Sequence, residues 1–547
     1  MLGLSGDEMQ KGFNMTDIKI KFCGAAGHVT GSCYLLQTPQ STFLVDCGLF
    51  QGSKKVRALN YEPFPFQPQD VDFVLQTHAH IDHSGQLPKL TSTGFKGKIF
   101  ATEGTRDLLT FMLPDSGYIQ EMEVEHRNRR NQRRGKPEVA PIYTRKDAED
   151  CLAHIVALDY EDWVQVGPDV RARFWNAGHI LGSASIEVEI DQEDAPALRL
   201  LFSGDIGPDN KLFHPDPDAP ADFDYVISES TYGNRERPET SVDARRAALQ
   251  TEVARALAGD GMLLIPVFAV ERTQELITDI LALQKAGDIP SAPIFLDSPL
   301  AIRVTRVFQK HSGDLEDLSV SPQLLNSPQL HPTQTTDESK SIAKITGGAI
   351  ILAASGMCDA GRIRHHLKQW LWQEKATVLF VGYQAQGSMG RRISEGAKRV
   401  TIQGEDIKIN AKIRKLDAYS GHADGAELAS WISERKPIQK ALILIHGEED
   451  QMDALHDKVI ALGIDARRIV MPALDDEMVL SAAGSLTLVP AQEQRVKPAK
   501  PKSPDWDNDL AELVNAVRDG FHAAADDKAR AVFVRQLRKS LDLDKAG

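Results

Sequence analysis

Apolar residues along this chain gather in short runs, each closed by a polar or glycine-bearing turn, and the rhythm of those runs changes twice. From Ile18 to about Ile227 most runs have strand length: Ser32–Leu36, Thr42–Val45, Val71–Leu75, Val170–Trp175, Ser185–Ile190 and Arg199–Phe202. Two longer periodic stretches between them, Gly104–Leu113 and Ser116–Arg134, predict helices. From about Asn234 to Arg399 the texture becomes a regular alternation. The apolar strands Met262–Pro266, Ile294–Leu296, Ala349–Ala353 and Val378–Val381 are each followed by a helical pattern, such as Ala269–Leu283. That alternation predicts a parallel sheet with crossover helices. After Val400 a strand-rich section resumes, followed by Gly425–Glu434 (helix), Ala441–Ile445 (strand) and Asp453–Leu462 (helix). One α/β unit is therefore expected to be inserted into another.

The expected division is a flexible leader over 1–17, one domain split into 18–233 and 400–489, an inserted domain over 234–399, a linker over 490–509 and a helical tail over 510–547. The linker rests on Lys497-Pro498-Ala499-Lys500-Pro501-Lys502-Ser503-Pro504, a proline-spaced basic stretch. There are no internal repeats.

The turn after Val71–Leu75 concentrates chemistry. Thr77-His78-Ala79-His80-Ile81-Asp82-His83-Ser84-Gly85 places three histidines and an aspartate within six residues, in a chain with 16 histidines. A strand-to-helix turn lets such side chains converge. His78 and His80 share a face by strand alternation, while Asp82 and His83 lie beyond the bend. Imidazole and carboxylate suit zinc, iron or manganese, and two such ions about 3.5–4 Å apart form a hydrolytic device. The same grammar, a strand ending in a polar turn, recurs at Asp46, His179, Asp205 and His422. Each alone is an ordinary turn residue; together they form a set.

Composition narrows the setting. A chain of 547 residues, 42% hydrophobic and 26% charged, is that of an ordinary globular protein with two or more domains. No apolar run has the length of a membrane span, and no signal-peptide core opens the chain. Five scattered cysteines without a Cys-x-x-Cys pair suit reduced thiols in a cytoplasmic protein. A net charge of −14 argues against bulk affinity for nucleic acid, though not against a local basic groove.

The order Asp46, His78/His80/Asp82/His83, His179, Asp205 resembles the motif order of the metallo-β-lactamase superfamily. Three further stretches resemble its β-CASP branch of RNA-processing nucleases: Glu229-Ser230-Thr231-Tyr232-Gly233, then Asp297-Ser298-Pro299-Leu300-Ala301 with Ser355-Gly356-Met357, and finally Ser420-Gly421-His422-Ala423-Asp424. The resemblance spans roughly Ile18 to Pro472. It implies an αββα metallo-β-lactamase sandwich with an inserted β-CASP α/β domain. It also implies two zinc ions, manganese being an alternative. His78, His80 and His179 would hold one ion, Asp82, His83 and His422 the second, with Asp205 bridging. Asp46 would orient a ligand histidine, and Glu229 would assist proton transfer or hold a ligand histidine.

One departure from the family pattern stands out. Where a histidine is expected after the last strand of the insertion, this chain has Arg392. Arginine grips phosphate but does not give up a proton at neutral pH. His365 and His366 are alternative proton donors, or simply part of a helix face.

The implied activity is hydrolysis of phosphodiester bonds in single-stranded RNA, endonucleolytic or 5′-exonucleolytic. Two signals bear on that substrate. Arg127-Asn128-Arg129-Arg130-Asn131-Gln132-Arg133-Arg134-Gly135-Lys136 has six basic residues and no acid, which suits phosphate tracking by Arg129, Arg130, Arg133 and Arg134 or a solvated helix face. Arg272, at a strand-to-helix turn, and Ser355 are further candidate RNA contacts. A small-molecule metallo-hydrolase and an RNA-binding scaffold without activity are the competing readings, and a homo-oligomer is compatible with the sequence. His28, His154, His331 and His446 are expected to be structural or surface residues, His446 ending a strand near the C-terminal edge of the first domain.

Overall fold

The computed structural model describes residues 18–193, 195–237, 241–313, 327–382, 384, 388–480, 487–492 and 495, and, farther on, 517, 521 and 524–540. The expected leader, most of the linker and the first part of the tail lie outside the described residues. Two compact units are distinguished, Met1–Arg495 and Val496–Gly547.

The larger unit is built on three main sheets. The first has eight strands in the spatial order Thr487–Val489, Glu477–Leu480, Ile18–Gly24, Cys33–Gln37, Thr42–Val45, Phe73–Leu75, Lys98–Thr102 and Ile155–Leu158. The second has seven: Ile469–Val470, Ile438–Leu444, Phe223–Ser228, Ala195–Phe202, Ala184–Gln192, Val170–Asn176 and Val164–Gln165. They pack face to face. Phe43, Val45, Phe73 and Leu75 of the first sheet share one core with Phe174, Ile186, Leu200, Tyr225 and Ile443 of the second. The alternate residues Leu44 and Val74 point the other way, into a layer with Leu108, Leu109 and Met112 of the helix Glu103–Arg133. On the far side of the second sheet, Leu201, Val226 and Leu442 pack with Leu428, Ile432 and Leu455 from the helices Gly425–Glu434 and Glu449–Ala461. Strands covered on both faces explain why these runs read as continuous apolar stretches rather than alternating ones. The αββα sandwich is thereby complete.

The third sheet belongs to the insertion. Its six strands, Leu330–Pro332, Ile294–Asp297, Ala349–Ala353, Met262–Pro266, Ala376–Phe380 and Lys412–Lys415, pair in parallel throughout. Apolar layers cover both faces. Parallel pairing with helices on both sides is the arrangement that the strand–helix alternation predicts.

Two details differ from the sequence reading. The inserted sheet does not stop at Arg399: Lys412-Ile413-Arg414-Lys415 pairs with Ala376–Phe380 as its edge strand. A strand with one apolar residue among three basic ones suits an exposed edge and gives no apolar signal. The two helices expected on either side of Pro114 form one helix, Glu103–Arg133. Leu108, Leu109, Met112 and Leu113 anchor it in the core, and Gly117 lets the backbone of Arg145 approach, so packing carries the helix through the proline.

In the smaller unit the described helix is Asp527–Ser540. Among the described residues, no helix is long and apolar enough to cross a membrane.

Candidate metal centre

The polar turns converge because of where the strands end. In the second sheet, Ala195–Phe202, Phe223–Ser228 and Ile438–Leu444 are neighbours running parallel. Their C-terminal ends deliver Asp205, Glu229 and His446 side by side. The loop between Val170–Asn176 and Ala184–Gln192 brings His179, and the turn after Phe73–Leu75 brings His78, His80, Asp82 and His83 from the facing sheet. Close backbone approach holds the turns together. A Cβ on Gly48 would fall 1.7 Å from the Asp82 carbonyl oxygen, and one on Gly207 would fall 1.9 Å from that of Gly178, so only glycine fits either position.

His78, His80, His179 and Asp205 offer ligand atoms that all lie within 4.8 Å of one another, as do Asp82, His83 and His446, and also Asp205, Glu229 and His446. The rings of His78, His80 and His179 stand 4.9–5.1 Å apart and nearly perpendicular, and His179 Nε2 lies 3.0 Å from His80 Nδ1. Asp205 reaches both groups. Its Oδ2 is 3.5 Å from His78 Nε2 and 3.6 Å from His179 Nε2, while its Oδ1 is 3.1 Å from His83 Nε2 and 3.8 Å from His446 Nδ1.

A layer of partners fixes the outer ring nitrogens. Asp46 Oδ2 lies 2.7 Å from His83 Nδ1. Asp46 in turn accepts from the Thr77 amide at 2.8 Å and Gln76 Nε2 at 2.9 Å. Thr77 Oγ1 is 3.0 Å from His78 Nδ1, the Gly421 carbonyl 2.6 Å from His179 Nδ1, and Thr231 Oγ1 3.0 Å from His446 Nδ1.

The chemistry of this donor set suits metal ions. Burial pushes His78 and His179 well below the usual imidazole range and His80 to about 4, so all three are neutral and present lone pairs. Burial also works against charge on His83, but Asp205 and Asp46 outweigh it and hold its proton more tightly. His78 Nε2 and Asp205 Oδ1 are buried without a hydrogen-bond partner. Acceptor atoms left unmatched beside one another in a protein interior are costly unless a cation completes them.

His446 is the residue that sequence reasoning missed. It was expected to be structural or surface, yet it is buried, with its Nε2 3.1 Å from His83 Nε2 and 3.9 Å from Asp82 Oδ2. The signal was present: Leu442-Ile443-Leu444-Ile445-His446-Gly447 is one more apolar strand ending in a polar turn, adjacent in the sheet to the strand carrying Glu229. His422, expected beside Asp82 and His83, sits on the other side. Its ring is 4.6 Å from that of His179, its Nδ1 is 3.3 Å from both Glu229 oxygens, and its Nε2 is 3.9 Å from Asp205 Oδ2. The reason is topological: Ser420–Asp424 precedes the helix Gly425–Glu434, whereas the strand that reaches Asp82 comes after that helix.

Other sequence candidates lie elsewhere. Arg392 is exposed on the short helix Met389–Ser394. His366 is buried with Nε2 2.7 Å from Asp297 Oδ2, and His365 is exposed on the same helix. Arg272 is buried rather than open to solvent, donating from Nη1 to the Val381 carbonyl at 3.2 Å. Ser355 is half-buried, and its amide donates to the Ala360 carbonyl at 3.3 Å. Arg129, Arg130, Arg133 and Arg134 are exposed at the end of the helix Glu103–Arg133, where Arg129 pairs with Glu125.

Known proteins resemble the chain along the same three segments. Residues 26–248 match the metallo-beta-lactamase superfamily, 273–393 the Beta-Casp domain and 406–469 the Zn-dependent metallo-hydrolase RNA specificity domain. A protein of Thermus thermophilus named as a ribonuclease is 35% identical over 80% of this chain and 95% of its own length. The transcription termination factor FttA of Methanosarcina mazei is 31% identical over 79% of this chain and 67% of its own. Its counterpart in Methanocaldococcus jannaschii is 31% identical over 83% and 72%.

Proposed function

Because the chain belongs to the β-CASP branch of the metallo-β-lactamase superfamily, we propose that it is a metal-dependent ribonuclease that hydrolyses phosphodiester bonds of single-stranded RNA. The observation that carries this reading is the paired ligand cluster, in which Asp205 faces two groups of imidazoles and carries a buried oxygen with no hydrogen-bond partner. The ribonuclease name of the Thermus relative supports the substrate class.

In this reading His78, His80 and His179 would hold one zinc ion, Asp82, His83 and His446 would hold a second, and Asp205 would offer a carboxylate oxygen to each group. Divalent ions held there would neutralise the phosphate and make a water molecule acidic enough to attack at neutral pH. The protein's own residues do the rest. Asp46 fixes the His83 ring through Nδ1 and raises its basicity as a ligand. Thr77, Thr231 and the Gly421 carbonyl do the same for His78, His446 and His179 without adding charge.

His422, rather than His365 or His366, takes the proton-donating role. Its Nδ1 is held by Glu229, its Nε2 points toward Asp205, and 21% of its side chain remains open. Burial opposes a charge on His422, but Glu229 and Asp205 outweigh it and keep a proton on the ring. An imidazolium placed this way can hand the Nε2 proton to the departing ribose oxygen. Arg392, exposed and outside the cluster, has no part in that step.

End-labelled single-stranded RNA and DNA, incubated with metal-replete and chelator-treated protein, test the reading. Cleavage of RNA that stops with chelator and returns on adding zinc or manganese is the expected result. Preferential cleavage of DNA, or cleavage indifferent to chelator, would overturn it.

A further inference from the structure

Behind the His179 loop lies a buried charged group that the reaction does not use. Lys211, His214 and Glu271 are all buried. Glu271 Oε1 is 2.9 Å from His214 Nε2 and 3.6 Å from Lys211 Nζ. Its other oxygen, Oε2, accepts from the Leu181 amide at 3.2 Å, two residues beyond His179. Lys211 Nζ donates to the carbonyl oxygen of His179 itself. Glu271 comes from the insertion, immediately before the helix Arg272–Ala286, whereas Lys211 and His214 follow Asp205 in the sandwich.

The backbone of Glu271 is unusual as well. It has φ 68° and ψ −67°, in a tight turn in which the Arg272 amide donates to the Val270 carbonyl at 2.9 Å. A residue with a Cβ is strained there and glycine is not. Burying a carboxylate in a conformation that favours glycine makes sense only if the carboxylate does something a glycine cannot. The next residue adds a second contact from the same turn: a Cβ on Gly421 would lie 3.1 Å from Arg272 Nη2 and 3.3 Å from His179 Cε1, so the guanidinium packs where the Gly421 carbonyl meets the His179 ring.

We propose that Glu271 is a positioning residue for the metal centre: with Lys211 and His214 it forms an ionic strut that ties the insertion to the His179 loop and sets the aim of the His179 imidazole. The proposal rests on the reading of His78, His80 and His179 as a metal site. It assigns to the inserted domain a part in metal affinity in addition to any part in covering the substrate. The carboxylate acts at one remove, through the Leu181 amide and through the lysine that grips the His179 carbonyl. Removing a partner of this kind typically lowers metal affinity by roughly 10–100-fold.

Glycine is the informative substitution. Glu271→Gly relieves the backbone and removes the carboxylate, so a loss of zinc affinity that persists in the folded variant comes from the missing carboxylate and not from the strained turn. Glu271→Gln keeps the shape and the strain while removing the charge. The experiment is calorimetric titration of zinc into metal-stripped wild type, His179→Ala, Glu271→Gly and Glu271→Gln, with thermal unfolding in parallel. Wild type shows two binding events, and His179→Ala identifies the one at His78/His80/His179. That event weakens by about 10–100-fold in both Glu271 variants, while the other stays within a few-fold. Wild-type affinity in folded Glu271→Gly overturns the proposal. Loss of both events in Glu271→Gly also overturns it, since the strut would then not be specific to one ion. If wild type itself binds no zinc, the metal reading falls, and that failure is seen in wild type alone.

Discussion

Two places in this molecule look alike on paper: an aspartate at the end of an apolar strand with histidines close by. At one, Asp297 ends Ile294–Asp297 in the insertion. At the other, Asp205 follows Ala195–Phe202 in the sandwich. Their surroundings are opposite. Asp297 Oδ1 accepts from Arg362 Nη1 at 2.7 Å and Thr333 Oγ1 at 2.6 Å, and its Oδ2 from Ser339 Oγ at 2.7 Å, with His366 Nε2 also 2.7 Å away. Each oxygen is matched by two donors. Asp205 is surrounded by imidazole nitrogens at 3.1–3.9 Å, and its Oδ1 has no hydrogen-bond partner. A saturated carboxylate is a structural tie between strand, loop and helix. An unsaturated one facing His78 and His179, which burial keeps neutral, is a place for a cation. Saturation of hydrogen-bonding capacity, rather than residue type or burial, separates the two.

The sharpest way to break that contrast is to neutralise each aspartate. Asp205→Asn should retain a cooperative unfolding transition while RNA hydrolysis falls by roughly 10³-fold or more, because the charge that several kcal/mol of metal-based stabilisation depends on is gone. Near-normal rates with full metal content would remove Asp205 from the centre.

His422→Ala should cost about 10²–10⁴-fold on RNA. A phosphodiester with a nitrophenol leaving group needs no proton donor, so the same variant should lose far less on that substrate. An equal loss on both would show that His422 acts through the metal site rather than as an acid.

Asp297→Asn should do the reverse of Asp205→Asn. It should leave hydrolysis near wild type and lower stability by about 1–3 kcal/mol at neutral pH. Burial opposes the Asp297 charge, but the donors from His366, Thr333, Ser339 and Arg362 outweigh it and hold its carboxyl well below the usual range. A depressed pKa stabilises the fold above the unfolded value and loses that contribution as pH falls toward the folded one. The gap between wild type and Asp297→Asn in denaturant melts should therefore be full at pH 7 and narrow below about pH 4. A gap independent of pH would mean that the ionised form is not what matters.

The smallest effect concerns the exposed basic end of the helix Glu103–Arg133. Replacing Arg129, Arg130, Arg133 and Arg134 with Ala should flatten the salt dependence of RNA binding by up to about 3 in the log–log slope, at roughly 0.7 for each phosphate that an arginine no longer neutralises. An unchanged slope identifies the stretch as a solvated face.

Much of this was legible in the chain. Strands such as Thr42–Val45, Met262–Pro266 and Ala349–Ala353 announce themselves because both faces are buried and nearly every residue is apolar. Lys412–Lys415 was silent because an edge strand is mostly solvated. At the site, His78, His80, Asp82 and His83 stand out by density within one turn. His446 is alone in its turn, and what makes it part of the cluster is sheet order: Ile438–Leu444 lies against Phe223–Ser228, a pairing between residues some 215 positions apart that no local pattern encodes. His422 invited the opposite error, because its motif is dense and glycine-flanked while its ring faces Glu229. The saturation of Asp297 was equally invisible, since Thr333, Ser339 and Arg362 come from three separate segments.

The unsaturated cluster around Asp205 is expected to hold two metal ions. Anomalous diffraction at the zinc absorption edge, from crystals of protein grown with zinc, tests it directly. Two peaks are expected flanking the Asp205 carboxylate, one among His78, His80 and His179 and the other among Asp82, His83 and His446, with His422 turned to Glu229 and bound to neither. A single peak, none, or a second ion held by His422 in place of His446 would contradict it.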